Sequence, residues 1–204
     1  MKISMIPALK TNYFWLVQPN RQRAEAYIFD PGDEPPVTRA LQTLGLNLAG
    51  IIITHHHWDH TDGIAALLAR FNVPVYGPDS ERIPSITQPL NSGDTLNLPD
   101  FALQVLATPG HTLDHIAYVH TDETGLTHLF SADNIFGAGC GRRFEGSAEV
   151  YYRSLRKLAE LPPTTLIYCS HEYTLDNIRF ALQVEPDNQA LQERQPDRHR
   201  TCFS

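Results

Sequence analysis

Thr54-His-His-His-Trp-Asp-His60 follows the apolar run Leu48-Ala-Gly-Ile-Ile-Ile53 and precedes Thr61-Asp-Gly-Ile-Ala-Ala-Leu-Leu-Ala-Arg-Phe71. The β-branched residues before it favour a buried strand, and the spacing of apolar residues after it, over 62–71, predicts a helix. The histidine-rich run therefore falls on a strand-to-helix loop. In its extended half His55 and His57 are two apart and project to one side, while Asp59 and His60 are adjacent where the chain begins to turn. A structural use for three consecutive histidines and a His-Asp alternation is hard to find. Imidazole and carboxylate at this spacing supply half of each of two metal sites.

The remaining ligands are expected where an apolar strand again ends in a polar turn. Phe101-Ala-Leu-Gln-Val-Leu-Ala-Thr-Pro-Gly-His111 presents His111, His128-Leu-Phe-Ser-Ala-Asp133 presents Asp133, and Thr165-Leu-Ile-Tyr-Cys-Ser-His171 presents His171. Strand ends along one sheet edge are where α/β proteins gather functional groups. This reading places His55, His57 and His111 on one metal, Asp59, His60 and His171 on the other, and Asp133 between them. His56, His115, His120, His128 and His199 are read as surface or core residues, or at most as supports behind the ligands.

Strand-like runs at 24–29, 49–53, 73–76, 103–107, 116–119, 129–130 and 166–169 alternate with helical patterns at 37–44, 62–71, 148–161 and 175–184, which argues for an α/β fold. With 204 residues, 42% of them hydrophobic, the chain can bury one substantial core, and no repeat or long linker divides it. A single domain is expected over 1–192, with a polar, disordered tail over 193–204. No apolar leader opens the sequence and no stretch of eighteen apolar residues occurs, so a cytoplasmic protein without a membrane span is expected. Three cysteines without a spaced framework fit a reducing compartment. A net charge of −7 without a strong basic run disfavours a nucleic-acid surface. Oligomeric state is not legible.

The run His55, His57, Asp59, His60 resembles the His-x-His-x-Asp-His signature of the metallo-β-lactamase superfamily. Within it, Asn12-Tyr-Phe-Trp15, Asp30-Pro-Gly-Asp33, Thr108-Pro-Gly-His-Thr112, Gly139-Cys-Gly-Arg142 with Phe144-Glu-Gly146, and His171-Glu-Tyr-Thr174 resemble the glyoxalase II (hydroxyacylglutathione hydrolase) family. The resemblance implies an αββα sandwich of two mixed sheets flanked by helices, with the family's C-terminal helical segment mostly absent. It also implies a zinc-dependent thioesterase, iron or manganese being the alternatives, that cleaves S-D-lactoylglutathione to D-lactate and glutathione in methylglyoxal detoxification. Asp133 would bridge the two ions, Asp59 would orient the attacking water, and Arg142, Phe144 and Tyr173 would meet the glutathione moiety. Asp30 is a candidate acceptor for a ligand-histidine N–H. Cys140 between two glycines is read as a consequence of a tight turn rather than as a nucleophile. Trp58, Ser131-Ala132 and Asp114 depart from the family pattern, the last two where glycine is usual. Another thioester, a lactone or a β-lactam remains an alternative substrate, and an inactive metal-binding form remains an alternative to an enzyme.

Overall fold

Every residue from Asn12 to Val17 is buried, which period-two geometry permits only where both faces of a strand are covered. The computed structural model, which describes residues 1–194, shows what covers them. Strands β1 (Lys2–Ala8), β2 (Asn12–Gln18) and β3 (Glu25–Phe29) lead through helix α1 (Glu34–Leu44) to β4 (Asn47–Ile52), and α2 (Trp58–Thr61) and α3 (Ile64–Leu68) precede β5 (Val75–Pro78) and β6 (Gln88–Leu90). These six strands form one sheet in sequence order, antiparallel from β1 to β3 and parallel from β3 to β6. Strands β7 (Thr95–Leu98), β8 (Phe101–Ala107), β9 (Ile116–Thr121) and β10 (Thr127–Ala132) then run antiparallel. The hairpin β11 (Ile135–Phe136) and β12 (Gly139–Cys140) and helix α4 (Ala148–Ala159) precede β13 (Leu166–Cys169), which joins β10 in parallel. Helices α5 (Thr174–Val184) and α6 (Gln189–Arg194) close the described chain.

Alternation along the strands builds three apolar layers. Tyr13, Trp15, Val17, Phe29 and Ile52 of the first sheet meet Leu103, Val105, Tyr118 and Phe130 of the second. Phe14, Leu16, Ile28 and Ile51 face the other way, onto Val37 and Leu41 of α1 and Ile64 and Leu67 of α3. Ala117, Val119 and Leu129 face Leu158 of α4. The result is an αββα sandwich. Phe29 and Phe130 stack across the sheets with centroids 4.1 Å apart, each such ring contributing about 2–3 kcal/mol by burial. Polar tips inside this layer tie strand ends together: Tyr118 Oη donates to Ile53 O at 2.7 Å and Trp15 Nε1 to Cys169 O at 2.9 Å.

Some local expectations change. The helix expected over 62–71 begins earlier, at Trp58, so Asp59 and His60 occupy a helical turn rather than a loop, and it is interrupted at Gly63, whose N–H turns to Pro31 O at 3.0 Å. Paired strands β1 and β2, not among the expected elements, add an edge to the first sheet. Ala132, in the Ser131-Ala132 pair expected to depart from the family pattern, has a φ of +43°, the region that favours glycine. Helix α6 takes in Glu193 and Arg194 of the expected polar tail; the rest of that tail, with His199, lies outside the described residues.

Two glycines let loops press directly on the backbone of site residues. A Cβ on Gly32 would fall 1.9 Å from Asp59 O, and one on Gly141 would fall 1.8 Å from Asp133 O. Backbone cannot yield as a flexible side chain does, so Gly32→Ala or Gly141→Ala should cost more than about 2 kcal/mol. Thermal unfolding of the two variants, with metal content measured in parallel, checks this: lower midpoints together with lost metal are expected.

Candidate metal centre

Each predicted ligand lies at or just beyond the C-terminal end of a strand or in the turn that follows it. The chain leaving β4 carries His55 and His57 and enters α2 with Asp59 and His60, β8 leads to His111, β10 to Asp133 and β13 to His171. Because the strands are parallel where the chain crosses between helices and the sheets pack face to face, these ends share one edge of the sandwich. Asp30, just past β3, joins them with a φ of +48°.

Two groups of side chains converge there. His55, His57, His111 and Asp133 place ligand atoms within 4.8 Å of one another, and so do Asp59, His60 and His171. Asp133 faces both. Its Oδ2 is 3.1 Å from His111 Nε2, and its Oδ1 is 3.4 Å from His60 Nε2 and 3.4 Å from His171 Nε2. His57 Nδ1 lies 3.0 Å from His111 Nε2, and Asp59 Oδ2 lies 3.4 Å from His171 Nε2. A carboxylate set between two histidine groups can serve both, and the His/Asp cluster in this fold indicates a dimetal site.

Hydrogen bonds behind the ligands fix which ring nitrogen faces inward. Asp30 accepts from Thr54 N and from Thr54 Oγ1, both at 2.8 Å, so the Thr54 oxygen is left to accept from His55 Nδ1 at 3.0 Å. His55 Nε2 then points inward as a lone pair, buried and without a partner. His111 Nδ1 donates to Arg142 O at 2.8 Å, and His171 Nδ1 meets Thr11 Oγ1 at 3.1 Å. Asp30, proposed from sequence as an acceptor for a ligand histidine, comes within 3.2 Å of His60 Nδ1, although the angle falls outside hydrogen-bond geometry and both His60 nitrogens are buried without a partner. Buried nitrogens left unpaired, beside carboxylates, are costly unless they serve a ligand. The donor set of imidazoles and carboxylates without a thiolate fits divalent zinc, iron or manganese.

The electrostatics follow from crowding these groups out of water. Burial, with His60 and His115 beside it, pushes His55 well below the ordinary imidazole range. For His60 burial acts in the same direction, but Asp133 and Asp30 outweigh it and hold the ring well above that range. Burial likewise opposes charge on Asp133, yet His60, His111 and His171 keep its carboxyl well below the usual value. Asp59 is held low in the same manner, against burial, by His171, His60 and Asn12. The Asn12 Nδ2 bond to Asp59 Oδ2 is 3.0 Å long, and the Ser170 hydroxyl donates to Asp133.

Asn12, Thr11, Thr54 and Ser170 were given no role from sequence; each is one ordinary polar residue, and Thr11 lies outside every quoted motif. His115 proves to be buried in the site's wall. Its ring stacks on His55 at 4.9 Å, its Nδ1 accepts from Asn134 Nδ2 at 2.7 Å or Thr108 Oγ1 at 2.9 Å, and burial pushes it down to about 3. His56 turns away from the ligands to Asp114. Trp58 is exposed and outside both ligand groups. The residues expected at the substrate lie on the rim: Phe144 meets His57 and His111 edge-on at 5.3 and 5.2 Å, Arg142 lies 4.9 Å above the Phe144 ring, and Tyr173 stacks on His171 at 5.0 Å. Cys140 is exposed, and its neighbours Gly139 and Gly141 are pressed against Asn177 and Asp133, which accounts for the glycines by close approach.

This fold and site define a metallo-β-lactamase superfamily protein, and the model of that superfamily matches residues 8–171. A model of the hydroxyacylglutathione hydrolase C-terminus matches residues 172–201. Hydroxyacylglutathione hydrolases of Hahella chejuensis and Alkalilimnicola ehrlichii are 50% and 51% identical to the chain, each aligned over 95% of it and 74% of their own length. The chain therefore belongs to the hydroxyacylglutathione hydrolase family of hydrolases. Among solved structures, ETHE1 from Myxococcus xanthus matches with a TM-score of 0.73 and 30% identity over 85% of this chain and 76% of its own. TTHA1623, solved in a di-iron-bound form, matches with a TM-score of 0.66 and 30% identity over 84% of this chain and 92% of its own.

Two outcomes follow from the geometry. Asp133→Ala removes the carboxylate common to both groups and should abolish binding of at least one metal, read by elemental analysis of the purified variant; unchanged stoichiometry would remove Asp133 as a bridge. His60 and His171 are both raised, so in the metal-free protein they hold protons at a pH where ordinary histidines have lost them, and a metal must displace those protons. Titrating zinc into metal-free protein near neutral pH should release protons, seen as a heat that depends on the buffer's ionisation enthalpy, and affinity should fall as pH is lowered.

Proposed function

We propose that the chain hydrolyses the thioester of S-D-lactoylglutathione to D-lactate and glutathione, with His55, His57 and His111 holding one divalent ion, Asp59, His60 and His171 the other, and Asp133 shared. The observation that carries this reading is the placement of Asp133 between two histidine groups beneath a rim made by Arg142, Phe144 and Tyr173, in a chain half identical to named hydroxyacylglutathione hydrolases. Zinc is the favoured ion for this donor set, iron and manganese fitting the same ligands. When bound, such a pair supplies a nucleophile from water near neutral pH and polarises the acyl carbonyl.

The chain's own groups supply position and charge. Asp59, held by Asn12 and low in its proton affinity, stays an acceptor and orients a water O–H at its Oδ2. Arg142, exposed beside the opening, offers a guanidinium to the glutathione carboxylates, and Phe144 and Tyr173, exposed on the same rim, meet the glutathione moiety with it. A thiol leaves with a pKa near 8.5, so expulsion of glutathione needs no strong general acid. Cysteines that form no disulfide among the described residues suit a reducing cytoplasm.

Comparing kcat/KM for S-D-lactoylglutathione with that for a simple acyl thioester, on protein reconstituted with zinc, iron or manganese, tests the proposal. A preference of at least about a hundredfold for the glutathione substrate is expected from the rim contacts. Equal rates would retain the hydrolytic centre and discard glutathione as its substrate.

A further inference from the structure

The segment from Arg142 to Gly146 has no regular structure of its own, yet it carries two of the rim residues. Two bonds tie it to His111: His111 Nδ1 donates to Arg142 O at 2.8 Å and Phe144 N donates to His111 O at 3.2 Å. Glu145 adds a third anchor, its Oε2 accepting from Leu113 N at 2.6 Å. The other oxygen, Oε1, accepts from Arg82 Nη1 at 2.5 Å. Arg82 comes from the loop between β5 and β6, 63 residues away in sequence, and Nη1 also lies 2.9 Å from His56 Nε2.

A guanidinium has donors only, so His56 Nε2 accepts and its Nδ1–H donates to Asp114, whose oxygens lie 2.9 and 3.0 Å away. Asp114 further accepts from Thr112 Oγ1 at 2.6 Å and Ser80 Oγ at 2.8 Å. Arg82 and Ser80 thus pin the 79–83 loop to the histidine run, to the turn after His111 and to Glu145 at once. Glu145 is thus held from two sides, by the Leu113 backbone N–H and by the Arg82 guanidinium.

We propose that Arg82 is a positioning residue which, through Glu145, clamps the Arg142–Phe144 segment over the metal centre and thereby sets affinity for the glutathione part of the substrate; this rests on the thioesterase reading above. Its side chain is 59% exposed, and exposed ion pairs add little to global stability. The effect therefore falls on the segment that the pair restrains rather than on the fold. The same cation, bonded to His56 between two ligand histidines, links that segment to the histidine run without touching a ligand nitrogen.

Arg82→Ala, Arg82→Lys, Glu145→Gln and, as a control, Arg153→Ala on exposed α4 are compared as metal-loaded full chains. For Arg82→Ala and Glu145→Gln, KM for S-D-lactoylglutathione should rise about tenfold with kcat within about twofold, the pattern of lost uniform binding. The Kd of a non-hydrolysable S-alkylglutathione, measured by calorimetry, should rise in step, Arg82→Lys should recover part of the loss, and metal content and unfolding midpoint should match wild type. Trypsin should cut after Arg142 and Arg143 about tenfold faster in the two clamp variants, because cleavage follows the open population; the control should change nothing. Unchanged KM and unchanged cleavage overturn the proposal, and so does a fall in kcat accompanied by lost metal. Should wild type hydrolyse no glutathione thioester, the thioesterase reading fails by itself, and the trypsin rates alone decide whether Arg82 clamps the segment.

Discussion

A carboxylate removed from water repels its own burial unless positive or donating groups surround it. Asp133 is buried and is nevertheless held ionised, because His60, His111, His171 and the Ser170 hydroxyl all address its two oxygens. Those four partners come from three separate strand ends, while Asp133 comes from a fourth. The shared carboxylate is thus satisfied only when both sheets are stacked and their C-terminal edges coincide. Fold and centre are specified by one requirement: the polar loops must meet over this group, and the three apolar layers bring them there.

Behind the ligands a ring of ordinary polar groups removes the remaining freedom. Thr54 passes the Asp30 carboxylate's orientation to His55, Asn12 does the same for Asp59, and Thr11 for His171. None of these atoms bears on the inner face, yet each sets which imidazole nitrogen or carboxylate oxygen does. Such supports are what hold a metal-binding geometry steady before any ion arrives.

Much of this was legible in the sequence, and the parts that were not share a cause. The histidine run, the strand-end positions of His111, Asp133 and His171, and the alternation of strands with helices carry local signals that survive without tertiary context. The strand pair β1 and β2 was missed because Lys2–Ala8 mixes polar and apolar residues on an edge, and because residues 13–17 are apolar on both faces, which erases the alternation that marks a strand. The break at Gly63 depends on Pro31, more than thirty residues earlier. Thr11, Thr54, Ser170 and the Asp114 cluster are single polar residues whose meaning lies in partners far along the chain. The Ser131-Ala132 pair shows the opposite case, flagged from sequence and carrying a positive φ at Ala132.

The turn between β1 and β2 is zipped to the chain just beyond β13: Tyr13 N donates to Ser170 O at 2.7 Å, Glu172 N donates to Thr11 O at 3.0 Å, and Thr11 meets His171 across 160 residues of sequence. Contacts of such separation carry the entropy cost of closing a long loop, which must be met before they return anything. On an elongating chain the histidine run is complete before His111, Asp133 and His171 have been added. The group that contains Asp59 and His60 gains His171 only from the strand that pairs with β10. Closing the sandwich therefore joins the first strand pair to the last strand, and the group of Asp59, His60 and His171 is assembled only where residues far apart in sequence have met.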